Sequence, residues 1–157
     1  MKPVKVLAAA IAAMTLAAPS HALEAYGGIA GDFALPHEGD SDLLLTVLAG
    51  VVAPSFPFSL GGEAEFGFGL GTSSPFDTRR LRAVARYNFG SLTAFGAAGV
   101  EQFVYSDTTD FGLNLGLGGE FDLEGPTAFR GELIRSFIQD GDTENTTTTR
   151  VGLVYRF

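Results

Sequence analysis

From residue 23 to its last residue the chain alternates apolar and polar positions with a period of two, the spacing of a β-strand with one greasy and one wet face. The final segment, Thr147 to Phe157, sets Val151, Leu153, Tyr155 and Phe157 against Arg150, Gly152, Val154 and Arg156. The first, Leu23 to Leu35, sets Ala25, Gly27, Ile29, Gly31, Phe33 and Leu35 against Glu24, Tyr26, Gly28, Ala30 and Asp32. The second, Leu43 to Ala53, is apolar on both faces except for Thr46 and Gly50. The third, Phe58 to Gly71, is the cleanest: Phe58, Leu60, Gly62, Ala64, Phe66, Phe68 and Leu70 oppose Ser59, Gly61, Glu63, Glu65, Gly67 and Gly69. The fourth, Arg79 to Phe89, puts Leu81, Ala83, Ala85, Tyr87 and Phe89 opposite Arg80, Arg82, Val84, Arg86 and Asn88. Segments Leu92 to Val104, Phe111 to Phe121 and Thr127 to Gln139 complete a set of eight.

Turn signals separate them: Pro54 to Pro57, Gly90-Ser91 and Asp122 to Pro126 are short, and the polar stretches Pro36 to Asp42, Thr72 to Thr78, Tyr105 to Asp110 and Asp140 to Thr146 alternate with them. No segment after residue 22 reaches the run of about 18 apolar residues that a transmembrane helix needs. Strands of roughly ten residues, even in number, with short turns at one end and longer loops at the other, predict an all-β fold: an eight-stranded antiparallel up-and-down transmembrane β-barrel. The aromatics agree. Phe58, Tyr87, Phe89, Phe121, Phe129, Tyr155 and Phe157 fall at turn-side ends, and Phe33, Phe68, Phe111 and Phe137 fall toward loop-side ends, as in a girdle at each membrane interface. A soluble sandwich would hold its aromatics mid-strand. Arg135 is the exception to the pattern: it falls on the outward face of its segment near the loop end, or inward if a bulge intervenes.

The first 22 residues do not belong to that pattern. Lys2 and Lys5 precede an apolar run from Val6 to Ala18, and Ser20 and Ala22 have the small-residue spacing of a cleavage site. This predicts a signal peptide over 1–22 and a barrel domain over 23–157. Both lysines lie in that leader. Of the ten Lys plus Arg, eight arginines therefore remain, against all 18 acids. The charge makes nucleic acid an unfavourable partner, and the lack of Cys excludes a disulfide scaffold.

An eight-stranded barrel has an interior just wide enough to be filled by side chains. The inward faces carry Glu63, Glu65, Glu101, Glu120 and Glu132 with Arg80, Arg82, Arg86, Arg130, Arg150 and Arg156, five acids against six bases. Buried charges must pair, and the planar fork of Arg suits carboxylates, so these residues are expected to form a plug of ion pairs. A narrow conductive path along the same charges is the competing expectation. Glu38, Asp40, Asp42, Asp77, Asp107, Asp110, Asp140, Asp142 and Glu144 make the loops acidic; they could bridge Ca²⁺ or Mg²⁺ to anionic lipopolysaccharide, but none has the spacing of a dedicated calcium loop. No cofactor and no resident metal are expected. Catalytic chemistry has little to work with: His37 is the sole histidine after the leader, there is no G-x-S-x-G, and Gly67-Phe-Gly69-Leu-Gly71 follows strand periodicity and opens no helix.

With a leader, eight strands and the ending Val151-Gly-Leu-Val-Tyr-Arg-Phe157, the chain resembles the small outer-membrane β-barrel family of Gram-negative bacteria, the OmpA, OmpX and opacity type. Gly61-Gly-Glu-Ala-Glu65 is similar to that family's inward-acid third strand, and Tyr155 and Phe157 resemble the terminal signal read by the barrel-assembly machinery. The resemblance implies an outer-membrane location, export to the periplasm, periplasmic chaperones, and outer-membrane lipids and lipopolysaccharide as surroundings, for a monomer. It does not choose among the family's anchors, adhesins, immune-evasion proteins and lipid-modifying enzymes. A lipid A deacylase would need a lipid-facing His–Ser pair, and no such histidine is present. No peptidoglycan-binding domain is expected after the barrel, so the OmpA anchoring role is not carried over. The expectation is a structural or surface-interaction barrel, not an enzyme; the rivals are a narrow porin, a lipid-modifying enzyme and a soluble barrel with an apolar ligand.

Overall fold

The computed structural model describes residues 23–36, 41–70, 76–105, 108–138 and 145–157. The proposed leader, and His37, Glu38, Asp40, Asp107, Asp140, Asp142 and Glu144 of the acidic loops, lie outside the described residues.

Eight strands follow in chain order: β1 (Glu24–Pro36), β2 (Asp42–Ser55), β3 (Phe58–Gly69), β4 (Asp77–Asn88), β5 (Leu92–Val104), β6 (Thr109–Asp122), β7 (Thr127–Ile138) and β8 (Thr146–Arg156). Each pairs antiparallel with the next, and β8 returns to pair with β1, so the sheet closes into a barrel. Closure leaves no open edge among the strands. Directly paired residues followed around the wall from Tyr26 run through Gly50, Glu63, Arg82, Gly99, Asn114, Ser136 and Thr146 and return to β1 at Pro36, ten residues further along. A stagger of that size over eight strands goes with a strand tilt of about 35–45°.

Burial alternates along every strand, and the direction is inverted relative to a soluble protein. On β4 the buried positions are Thr78, Arg80, Arg82, Val84 and Arg86, while Leu81 is 48% exposed. Leu117 on β6 is 74% exposed beside a fully buried Glu120. Burial in water works the other way round, so this wall is built for a hydrocarbon surrounding. The two aromatic sets stand on the outer wall as the alternation predicts. At the turn end Tyr87 packs between Phe58 and Phe89, with ring centroids 4.8 and 4.5 Å apart, and Tyr155 packs on Phe157 at 5.2 Å.

Three short connections, 56–57, 89–91 and 123–126, lie at the end where the chain enters β1 and leaves β8. Gly90 and Gly125 take positive φ there, the region that disfavours any side chain. At the same end the Phe157 backbone N–H donates to the Ala25 carbonyl at 2.9 Å, holding the last residue against β1.

Several strands run further than their apolar alternation suggests. Asp77 and Thr78, expected in a loop, pair with Val104 and Phe103 of β5, and Thr109 and Asp110 pair with the same two residues from the other side. Asp122, expected in a turn, ends β6 opposite Ala128. β2 continues through Pro54, which pairs with Ser59 of β3. Val52 is the last residue of β2 that has a partner on β1, so Pro54 sits past the shared ladder, where a missing N–H is tolerated. Arg135 faces outward. Burial alternates without interruption from Ala128 to Phe137 and the pairing with β8 runs consecutively through Ile134, Arg135 and Ser136, so no bulge turns it in.

Candidate functional site

The inward side chains build one connected ladder of charge along the barrel axis. Its rungs come from register. Glu63 of β3 lies directly opposite Arg82 of β4, and Glu65 opposite Arg80, which is opposite Glu101 of β5 on its other side. Glu120 of β6 faces Arg130 of β7. Arg150 of β8 has Asp32 of β1 on one side and Glu132 of β7 on the other. Opposite charges directly across a strand pair attract, and here Arg80 and Arg150 are each laid between two carboxylates.

At the turn end Arg156 reaches Asp122 at 2.7 Å and Glu120 at 3.0 Å, and Glu120 also holds Arg86 at 3.1 Å. The Arg86 guanidinium lies over the Tyr26 ring, 4.1 Å from its centroid. Arg130 comes next. It donates to both Glu63 oxygens at 2.6 and 3.0 Å and to Glu132 at 3.0 Å, with its carbon centre 4.2 Å from the centroid of the Phe95 ring. Arg82 lies within 3.0 Å of Glu63, Glu65 and Glu132. Arg150 then takes two carboxylates as bidentate partners, Asp32 at 2.7 Å twice and Glu65 at 2.8 Å twice. Arg80 closes the sequence with Glu101 at 2.5 Å and Asp32 at 3.2 Å, and the Ser136 hydroxyl donates to the other Glu101 oxygen. Forked, charge-assisted bonds of this kind are short, strong and fixed in geometry.

Apolar groups close the remaining space. Near the turn end Tyr26 packs with Leu48, Val52 and Val154, and its hydroxyl donates to Glu63 at 2.8 Å. At the loop end Ala34, Leu44, Phe76 and Phe103 form a lid against which Tyr105 and Ile138 pack. The ladder is thus buried at every rung except its turn-side rim, where Arg156 and Asp122 have side chains about a third exposed. Glycines give the long side chains their room: a Cβ on Gly116 would meet the Glu132 carboxylate, and one on Gly50 would meet the Tyr26 ring.

All ten interior residues named from the sequence stand inside the wall: Glu63, Glu65, Arg82, Arg86, Glu101, Glu120, Arg130, Glu132, Arg150 and Arg156. Arg80, counted with them, is there as well. Two acids join the five expected ones: Asp122 at the rim, which pairs with Arg156, and Asp32. Asp32 is fully buried and is a principal partner of Arg150. The signal for it was present, since Asp32 shares the face of Tyr26 in the β1 alternation. Tyr155 and Phe157 lie on the outer wall at the turn end, 48% and 82% exposed.

The arrangement has little to offer a chemical reaction. Each buried carboxylate faces at least one arginine, so none is a free base, and among the described residues no cluster of three or more His, Cys, Asp or Glu is shaped to hold a metal. A shallow groove of about 630 Å³ on the outer wall, bordered by Leu60, Ala83, Ala85, Gly96, Ala98 and Leu115, presents almost only carbon.

No protein-family model matches the chain, and no curated protein matches its sequence. Solved structures do match its shape. Neisserial surface protein A superposes with a TM-score of 0.60 at 12% identity, covering 86% of this chain and 97% of that one. Ail, the attachment invasion locus protein of Yersinia pestis, gives 0.60 at 14% identity with the same coverage. The N-terminal β-barrel domain of Pseudomonas aeruginosa OprF gives 0.64 at 10% identity, covering 85% of this chain and 97% of that one. At these identities the likeness is one of architecture, and with the closed, inverted wall described above it establishes that this chain has the fold of the small eight-stranded outer-membrane β-barrels.

Proposed function

We propose that the protein is a monomeric outer-membrane barrel whose interior is a structural plug, and whose working surface is the loop-side rim. The observation that carries this is the unbroken ladder from Arg156 to Glu101, closed above by the Phe76 and Phe103 lid. An ion crossing it would have to break forked Arg–carboxylate pairs in a low-dielectric interior, where each lost pair strands a charge. The wall and plug hold the barrel rigid. Recognition then falls to the loops, the part of a scaffold that carries function when the frame is fixed. Ail, on which this barrel superposes, is by name an attachment invasion locus protein, and a surface-interaction role is the corresponding assignment here. Lipopolysaccharide and outer-membrane lipids surround the apolar wall in this assignment. The periplasmic chaperones and the barrel-assembly machinery deliver the chain, reading Tyr155 and Phe157. We assign it no catalytic step and no cofactor.

Planar-bilayer recording on the refolded protein tests the plug. The expected trace is flat, without sustained conductance steps at either polarity. Stable, ion-selective openings in the wild-type protein would replace the plug with the narrow porin.

A further inference from the structure

The eight arginines after residue 22 divide unevenly. Six are rungs of the interior ladder; Arg79 on β4 and Arg135 on β7 alone face outward. Their positions are matched. The barrel's stagger raises directly paired residues by roughly 1.25 residue steps per strand along the axis. On that scale Arg79 and Arg135, three strands apart, stand at the same height to within about half a step. That height is just below the loop-side aromatic band of Phe33, Phe68, Phe111 and Phe137. Among the described residues no outward Arg or Lys stands mid-wall or at the turn-side band.

Neither guanidinium is used up by the other described residues. Arg79 is exposed and has no hydrogen-bond or ion-pair partner among the described residues. Among the described residues Arg135 donates only to the Thr147 hydroxyl, at 2.6 Å. Each has a polar neighbour on the next strand: Gln102 directly opposite Arg79, and Thr147 directly opposite Arg135. Asp77 shares the outer face of β4 with Arg79, but one of its carboxylate oxygens accepts the Gly69 N–H at 3.3 Å. A long arginine rooted at this depth extends its head toward the interface while its stem stays in hydrocarbon. There it presents a planar fork that matches phosphate oxygens.

We infer that Arg79 and Arg135 are contacts for the phosphates of lipopolysaccharide in the loop-side leaflet. The asymmetry selects this lipid. A phospholipid present in both leaflets would favour outward arginines at both interfaces, whereas these occur at one. The inference rests on the membrane location proposed above.

Wild-type protein, the Arg79→Gln/Arg135→Gln double variant and the Arg79→Lys/Arg135→Lys double variant are refolded into three kinds of vesicle. One is phosphatidylcholine alone, one adds lipid A, and one adds phosphatidylglycerol to the same total charge. The readout is the temperature at which the compact, unboiled gel band is lost. Lipid A is expected to raise that temperature for the wild type well beyond phosphatidylglycerol. The gain should fall by at least half in the glutamine variant and return in large part with lysine, and inorganic phosphate alone should give none. An equal gain in the glutamine variant, or an equal gain from phosphatidylglycerol, overturns the assignment. Failure of the wild type to enter phosphatidylcholine vesicles overturns the membrane location and this inference together, whereas the glutamine variant's insertion into phosphatidylcholine separates lost recognition from lost folding.

Discussion

Arg150 is the most committed side chain in the barrel, fully buried and forked onto two carboxylates at once. Removing such a cation strips Asp32 and Glu65 of their forked partner and leaves only Arg80 and Arg82 against them, a loss of about 3–5 kcal/mol. Arg150→Met should therefore lower the unfolding free energy of the refolded protein, extrapolated from urea titration, by that amount. Asp32→Asn combined with Arg150→Met should cost less than the two single changes added together, because the carboxylate most in need of Arg150 is neutralised with it. Additivity of the two would mean that Asp32 and Arg150 do not share a bond of consequence. Residue-level placement was mostly legible in the sequence: alternation alone sends six arginines and five glutamates inward. What it does not carry is register. Asp32 counts for the ladder because it pairs across from Arg150, 118 positions away, and no local period encodes that. The same limit applies to Arg135, whose direction depends on whether a bulge interrupts β7, a matter of pairing and not of pattern.

At the scale of the strand, the outer wall is graded by depth. Ala98 lies mid-wall on β5, paired with Ala83 and Leu115, while Phe137 lies near the loop end of β7. An arginine at the first position has no interface within reach and should cost about 2–4 kcal/mol; at the second it should cost about 0–1 kcal/mol. Ala98→Arg and Phe137→Arg, unfolded by urea from the same vesicles, should differ accordingly, and equal costs would mean that the wall is not spanned by hydrocarbon between its aromatic bands. The grading also explains which strand ends were readable. Alternation of apolar and polar residues reports the part of a strand that meets lipid. Hydrogen bonding continues beyond it, so Asp77, Thr78, Thr109 and Asp110 remain paired although their polar outer neighbours look like loop. Pro54 was misleading for a different reason. A proline ends a central strand, but here β2 has already parted from β1 and the ring sits on a one-sided ladder.

For the molecule as a whole, closure and interior charge are one problem. The β1–β8 seam completes both: it pairs the two terminal strands, and it delivers Arg150 and Arg156 to carboxylates on β1, β3, β6 and β7. A chain without β8 would keep every other strand pair yet leave two open edges in lipid and leave Asp32 without its main partner. Chain order is not what the seam requires. The last backbone N–H bonds to the Ala25 carbonyl at 2.9 Å, so a short Gly/Ser linker can join Phe157 to Leu23, and the turn at 90–91 can be opened instead. Such a permutant retains every ladder pair and every rung while moving the terminal residues from the old seam to the β4–β5 turn. It should give the heat-modifiable gel shift of a closed barrel, and deletion of 146–157 should abolish that shift. A compact, heat-modifiable species from the deletion chain would mean that seven strands and an incomplete ladder suffice, and that neither closure at β8 nor the pairing of Arg150 governs the fold.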